Sequence, residues 1–232
     1  MPTTNVDTAK LKRKTILGFV LTTVIFELFL FVPAGSLNFW QGWVYSIITF
    51  VFLVGTAIYL WKRDPDLLKR RTEVGMIDEK EKVEKIVQII GLLGSISILL
   101  ILALDHRFGW SNVPLYIVIF GDILLVLGYY IVFLTFKVNS FASTTIEVAT
   151  DQKVISTGPY DVVRHSMYLG AIIALFGTPL SLGSWWGLLI LIPTVLGIIV
   201  RLLDEEKFLS KNLQGYNEYC QKVRYRLIPL LW

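Results

Sequence analysis

One cysteine and two histidines in 232 residues leave little room for thiol or metal chemistry. With Cys220 alone, an internal disulfide and a cysteine-rich metal site are both excluded. His106 and His165 stand far apart with no acidic partner at ligand spacing, so no metal centre is expected. Charge is scarce as well. Only 17% of residues are Asp, Glu, Lys or Arg, and the formal net charge is +4. A soluble chain of this length needs a more polar surface. No basic helix is interleaved with stacking aromatics, which argues against a nucleic-acid partner. Internal repeats and low-complexity tracts are absent too.

What the chain has instead is long apolar runs. Hydrophobic residues make up 54% of it and the mean hydropathy is +0.62. Six segments stand out, at residues 16–32, 40–61, 86–104, 113–136, 167–182 and 185–200. A helix that crosses a bilayer needs about 17–25 residues. The first four segments reach that length. The last two are short, with only Gly183 and Ser184 between them, and read as a tight helical hairpin. The first run follows Lys10, Lys12, Arg13 and Lys14 as a signal sequence would, but more spans come after it. It is read as a transmembrane helix, not a cleaved leader. The expectation is an all-α, polytopic transmembrane helical bundle of about six spans. Residues 1–136 form a four-span scaffold, and residues 137–232 carry the chemistry.

Basic residues give the orientation. Four lie in the N-terminal arm, eight in residues 62–85, three in 137–164 and six from Arg201 onward, leaving Arg107 alone on the opposite side. The positive-inside rule then puts both termini and both long loops in the cytoplasm of a multi-pass integral membrane protein. Tryptophans at 40, 43, 61, 110, 185 and 186 mark segment ends, as interfacial anchors do. The loop 62–85 alternates charge with Leu67, Leu68, Val74 and Met76, which predicts a short interfacial helix. It reads first as a basic collar on lipid and second as part of a substrate mouth. Glu27 and Asp122 fall inside spans, where an acid must be bonded or neutralised. They read first as polar contacts between helices and second as cavity lining.

The stretch that organises the chain is residues 158–170, GPYDVVRHSMYLG. Gly158 and Pro159 signal a turn. Two basic and two phenolic side chains follow at the mouth of the fifth apolar segment. The hairpin returns the chain to the same face, where Arg201, Asp204, Glu205 and Glu206 emerge. Topology therefore predicts that RHSMY and DEEKFL meet at the cytoplasmic boundary. A salt bridge closing the hairpin would satisfy the same pattern. The segment 142–156 mixes β-branched and polar residues without helical period and reads as a loop, with a short strand pair as one option.

The C-terminal block resembles the isoprenylcysteine carboxyl methyltransferase family and its phospholipid methyltransferase relatives. The resemblance rests on Val154-Ile155, Gly158-Pro159-Tyr160, the run Arg164 to Gly170, Glu205-Glu206-Lys207-Phe208-Leu209, and Tyr216…Tyr219 with Pro229. It covers residues 137–232, and Ser166 stands where the family has proline. It implies a methyltransferase region with a cytoplasmic pocket for S-adenosyl-L-methionine. Carried over by position, Gln152, Lys153, Val154 and Ile155 would line the adenosine side. Tyr160, His165, Ser166, Met167 and Tyr168 would wrap the cofactor. Glu205 or Glu206 would hold its polar end. Arg164 would pair with the methionine carboxylate or with a glutamate of the pair, and Arg201 would grip a substrate carboxylate. Arg164, Arg201 and Glu205 are the implied catalytic residues. The implied acceptor is a lipophilic small molecule or a prenylated peptide reached from the membrane lipid. A phospholipid amine is a further acceptor that the family allows. The stretch Tyr219-Cys220…Tyr225-Arg226-Leu227-Ile228-Pro229 also resembles membrane sterol reductases, which would imply NADPH instead. A non-catalytic membrane protein using the fold for partner contacts is the third reading.

Overall fold

The computed structural model describes residues 8–73, 82–142, 148 and 152–232. Eight α-helices are present among them: α1 Thr8–Ala34, α2 Trp40–Arg63, α3 Pro65–Glu73, α4 Lys82–Phe108, α5 Leu115–Val138, α6 Ser166–Ser181, α7 Trp186–Asn212 and α8 Tyr216–Lys222. No strand occurs among the described residues, and most of the segment proposed for a strand pair lies outside them. The chain is a polytopic transmembrane helical bundle. Stretches of α1, α2, α5 and α7 are long and apolar enough to cross a membrane. Helix α4 contains the run expected at 86–104.

The terminal hairpin differs from expectation in one respect. Helix α6 is short at 16 residues, but α7 is one unbroken helix of 27. The apolar part of α7 ends near Val200. The strong helix formers of DEEKFLSKN then carry the helix on, adding about 18 Å beyond it. The acidic pair therefore sits on a rigid rod rather than on a loop. Gly183, at φ 73°, makes the turn between the two helices.

Helices α5 and α6 form the most extensive contact in the bundle. Gly121 and Gly128 on one face Gly170 and Gly177 on the other, each pair seven residues apart. A Cβ on Gly128 would lie 2.5 Å from the Ala174 nitrogen and from the Gly170 oxygen, and one on Gly177 would lie 2.7 Å from the Gly121 oxygen. Only glycine permits this approach, the usual small-residue device of membrane helices.

Several polar groups inside the bundle are paired. Ser46 donates to Glu27 at 3.1 Å, and Ser181 donates to Asp122. Both carboxylates thus bond a serine on a neighbouring helix, the first of the two roles considered for them. At the hairpin end, Asp105 is 1% exposed and accepts from the Ser111 amide at 2.7 Å, the Ser111 hydroxyl at 2.6 Å and the Ser184 hydroxyl. Around it lies the largest apolar core, where Leu30, Phe39, Leu102 and Leu191 meet from different helices and the connection after α1.

A short helix is present in the loop 62–85 as α3. Asp64 closes α2 through its amide and caps α3 by accepting from the Leu67 amide at 3.0 Å, while Pro65 occupies the first helical position. Leu67 and Leu68 dock the helix against Leu60, Phe136 and Ala142.

Candidate active site

A 3-10 turn at Gly158–Asp161 leads into the site, with Gly158 at φ 62°. The turn fixes Tyr160. Its hydroxyl accepts from Asn139 Nδ2 at 2.8 Å, and its carbonyl accepts from the Tyr219 hydroxyl at 2.7 Å. The next residues pair with the C-terminal tail: the Arg164 and His165 amides donate to the Tyr225 and Arg226 carbonyls, both at 2.9 Å. Helix α6 then begins at Ser166. Its fully buried hydroxyl lies 3.0 Å from Thr135 Oγ1 on α5, so serine anchors the helix start where the family pattern has proline.

The extension of α7 presents two faces. Arg201, Glu205 and Leu209, at a spacing of four, line a cleft against the start of α6. Tyr168 bridges the first two, donating to Glu205 Oε2 at 2.6 Å and accepting from Arg201 Nε at 3.2 Å. Leu202 and Glu206 face inward and are buried. Glu206 receives Arg164 Nη1 at 3.2 Å, His165 Nε2 at 3.2 Å and Arg226 Nε at 2.7 Å. These partners offset the cost of burying its charge. They also tie α7, the start of α6 and the tail into one unit.

The empty space of the cleft, open solvent at its mouth included, amounts to about 870 Å³. Eleven of the thirteen residues named from sequence line it: Gln152, Lys153, Val154, Ile155, Tyr160, Arg164, His165, Met167, Tyr168, Arg201 and Glu205. Ser166 and Glu206 are not among its lining residues. They stand behind the wall and hold it in place. Glu27 and Asp122 are also absent from the lining.

Sequence reasoning missed several contributors. Asn139, Phe141 and Ala142, at and just beyond the end of α5, close one side. Leu213, Tyr216 and Tyr219 close another, packed with Val154 in a small apolar cluster. The Tyr-x-x-Tyr spacing on α8 was the available cue, since residues three apart share a helix face. Arg71 stands just outside the lining, on α3. Its Nη1 donates to the Ala142 carbonyl at 3.0 Å and lies 3.9 Å from Met167 Sδ, and its guanidinium sits 4.5 Å from the Phe136 ring centre.

Electrostatics keep the phenols neutral. Burial pushes the Tyr160 hydroxyl up to about 12, against the opposing bond from Asn139. Burial first, then Glu206, raises Tyr216, and burial, then Tyr160, raises Tyr219. Arg71 is pushed down to about 10, by burial first and by the positive charge of Arg201 second. Two buried polar atoms of lining residues, the Tyr216 hydroxyl and Arg164 Nε, lack a hydrogen-bond partner among the described residues. Such orphans ordinarily have a ligand or water to bond.

Residues 116–215 match the family model described as phospholipid methyltransferase. The match runs from the start of α5 to the residue before α8, so it takes in most of the cleft. A curated relative, the Delta(14)-sterol reductase of Mus musculus, is 33% identical over 91 residues, which is 38% of this chain and 22% of that protein. The similarity thus spans about a fifth of that relative's length. Among the described residues no group of three or more His, Cys, Asp or Glu side chains could hold a metal ion.

Proposed function

We propose that this protein is an integral membrane methyltransferase that uses S-adenosyl-L-methionine to esterify the carboxylate of a lipophilic, isoprenylcysteine-like acceptor at the cytoplasmic face. The observation that carries this reading is the Arg201–Tyr168–Glu205 arrangement lining a cleft within the segment similar to phospholipid methyltransferases.

The cleft fits the donor by its chemistry. A nucleoside joined to a zwitterionic amino acid and a sulfonium asks for apolar walls, an acidic group and spare hydrogen-bonding atoms. Val154, Leu209 and Leu213 supply the walls, and Glu205 the acid. The orphaned Tyr216 hydroxyl and Arg164 Nε supply the spare atoms. Gln152 to Ile155, Tyr160, His165, Met167 and Tyr168 would hold the remainder. When bound, the cofactor supplies a methyl group on positive sulfur, so that a carbon–oxygen bond forms, a carbon–sulfur bond breaks with its electron pair going to sulfur, and no proton moves.

The protein's part is therefore positioning. A carboxylate is already ionised at pH 7 and needs no general base. An amine acceptor, as in phospholipid N-methylation, must also lose a proton, which His165, held by Glu206 at Nε2, or Glu205 would take. A carboxylate makes no such demand. Arg201 would orient it, with Tyr168 fixing the arginine.

The sterol reductase relative motivates a second reading, hydride transfer from NADPH. Thermal unfolding in detergent separates the two, since a ligand that binds the folded state raises the midpoint. S-adenosylhomocysteine is expected to stabilise the protein and NADPH is not. The acceptor class follows from incubating the protein and native lipid extract with methyl-labelled donor. Stabilisation by NADPH alone, or label confined to amine products, would remove the reading.

A further inference from the structure

The tail that follows α8 is short of cover. Leu230 is 85% and Leu231 78% exposed, more than any other large apolar side chain among the described residues. Ile228 is exposed as well. The loop is closed by its own backbone. The Leu227 and Ile228 amides donate to the Trp232 backbone oxygen at 2.9 and 3.1 Å, and the Leu231 and Trp232 amides donate back to the Ile228 carbonyl at 3.2 and 3.0 Å. Leu230 holds a φ of 66°, the one non-glycine residue at positive φ among the described residues. That conformation is costly for a leucine. The closed loop accepts this strain and turns its leucines outward instead of onto the protein.

The depth of the loop follows from helix α6. The Arg164 and His165 amides, at the start of that helix, bond the Tyr225 and Arg226 carbonyls at 2.9 Å. Helix α6 has 16 residues and is about 24 Å long, whereas the hydrocarbon layer of a bilayer is about 30 Å thick. Trp185 and Trp186 are exposed just beyond its other end, where interfacial anchors belong. With that end at one boundary of the layer, the start of α6 falls at or inside the other. The loop begins at the residue after Arg226, so its leucines stand at the level of acyl chains and headgroups. Residues 219–232 carry three basic and no acidic side chains, and Lys222 and Arg224 among them are exposed. Apolar residues flanked by cations are the pattern of a segment lying on an anionic membrane surface.

We propose that Ile228, Leu230 and Leu231 insert into the leaflet on the cleft's side as a membrane anchor, and that the partner of this surface is the lipid itself. Burial among acyl chains removes the exposed apolar area and offsets the strain at Leu230. The anchor also reaches into the site. The Arg226 guanidinium sits 5.5 Å from the Trp232 ring centre, and its Nε bonds Glu206 at 2.7 Å. Glu206 is the carboxylate that also holds Arg164 and His165. The wall of the cleft is thereby fixed to one depth in the bilayer.

The test uses the whole chain carrying Cys220→Ser, so that an introduced cysteine is its only thiol. A bimane label is attached at Leu230→Cys, at Leu231→Cys and, as a water-side control, at Lys211→Cys, which is exposed near the end of α7. Each protein is placed in nanodiscs of phosphatidylcholine and phosphatidylglycerol. Insertion by about 5–10 Å is expected to bring the first two labels against lipids that carry a nitroxide high on the acyl chain, with quenching at least about threefold stronger than at Lys211. Aqueous iodide is expected to give the reverse order. Equal nitroxide quenching at all three positions overturns the proposal. So does a loop shielded from iodide without nitroxide quenching, which would mean that protein covers it. Should Leu230→Cys fail to fold, Leu231→Cys decides on the same terms. The readouts are independent of what the cleft binds.

Discussion

Glu205 and Glu206 are neighbours in the chain and strangers in the fold. Glu205 faces the cleft and accepts from Tyr168 at 2.6 Å, whereas Glu206 faces inward and accepts from Arg164, His165 and Arg226. A helix turns its successive side chains by about 100°, so an acidic doublet cannot serve one purpose. One carboxylate is available for a ligand and the other holds the frame.

The two variants separate these roles. Glu205→Gln is expected to weaken S-adenosylhomocysteine binding about tenfold with little change in the unfolding midpoint of the ligand-free protein. Glu206→Gln leaves three donors short of an anion and is expected to cost about 3–5 kcal/mol, as breaking a buried pair does. Isothermal titration and thermal unfolding in detergent read the two effects. Equal loss of stability in both variants would contradict the division.

Tyr216→Phe removes an orphaned hydroxyl and little else. Ligand-free stability is expected to stay the same or rise slightly, because a buried unsatisfied group is lost. Affinity for S-adenosylhomocysteine is expected to fall about fivefold to tenfold, the worth of one hydrogen bond of about 1–1.5 kcal/mol. Unchanged affinity would mean that the hydroxyl meets no ligand.

Gly128→Ala drives a methyl group into main chain 2.5 Å away. The expected cost is about 1–3 kcal/mol or more, since neither backbone can yield without separating the helices. Gly197→Ala, with no atom within 4 Å of the added carbon, is the control and is expected to be neutral or mildly stabilising. Thermal unfolding of both variants checks the contrast.

Asp105→Ala strips the acceptor from Ser111 and Ser184 at the end of the bundle away from the cleft. A loss of about 2–4 kcal/mol is expected from the unpaired groups. Cofactor affinity at the far end is expected to be unchanged in the fraction that remains folded, as measured by ligand titration.

Much of this architecture could be read from the amino acids. Apolar run length located α1, α2, α4, α5, α6 and α7, and the hairpin topology brought RHSMY to DEEKFL. The contacts of Tyr168 with Glu205 and of His165 with Glu206 have that geometry. The loop 62–85 gave α3 through its alternation of leucine and charge. Other features left weaker traces. The α5–α6 glycines are spaced by seven in each helix, but a spacing says nothing about which partner it meets. Asp105 carried no cue in the sequence, because its serine partners lie 6 and 79 residues away. Arg71 was hidden among eight basic residues of one loop, and only the docking of Leu67 and Leu68 distinguishes it from Arg70. The division of labour between Glu205 and Glu206 depended on α7 continuing as a helix past Val200. That continuation set their rotation.

The glycine contact between α5 and α6 has a bearing on how the site admits its ligands. Main chain against main chain leaves no rotamers to relax and no space to slide, so the start of α6, with His165 and Tyr168, is a fixed wall. Across from that wall the cleft is closed by Leu213, Tyr216 and Tyr219, packed with Val154. Gly215, at a φ of 83° that no other residue would adopt as readily, makes the turn that brings the two tyrosines there.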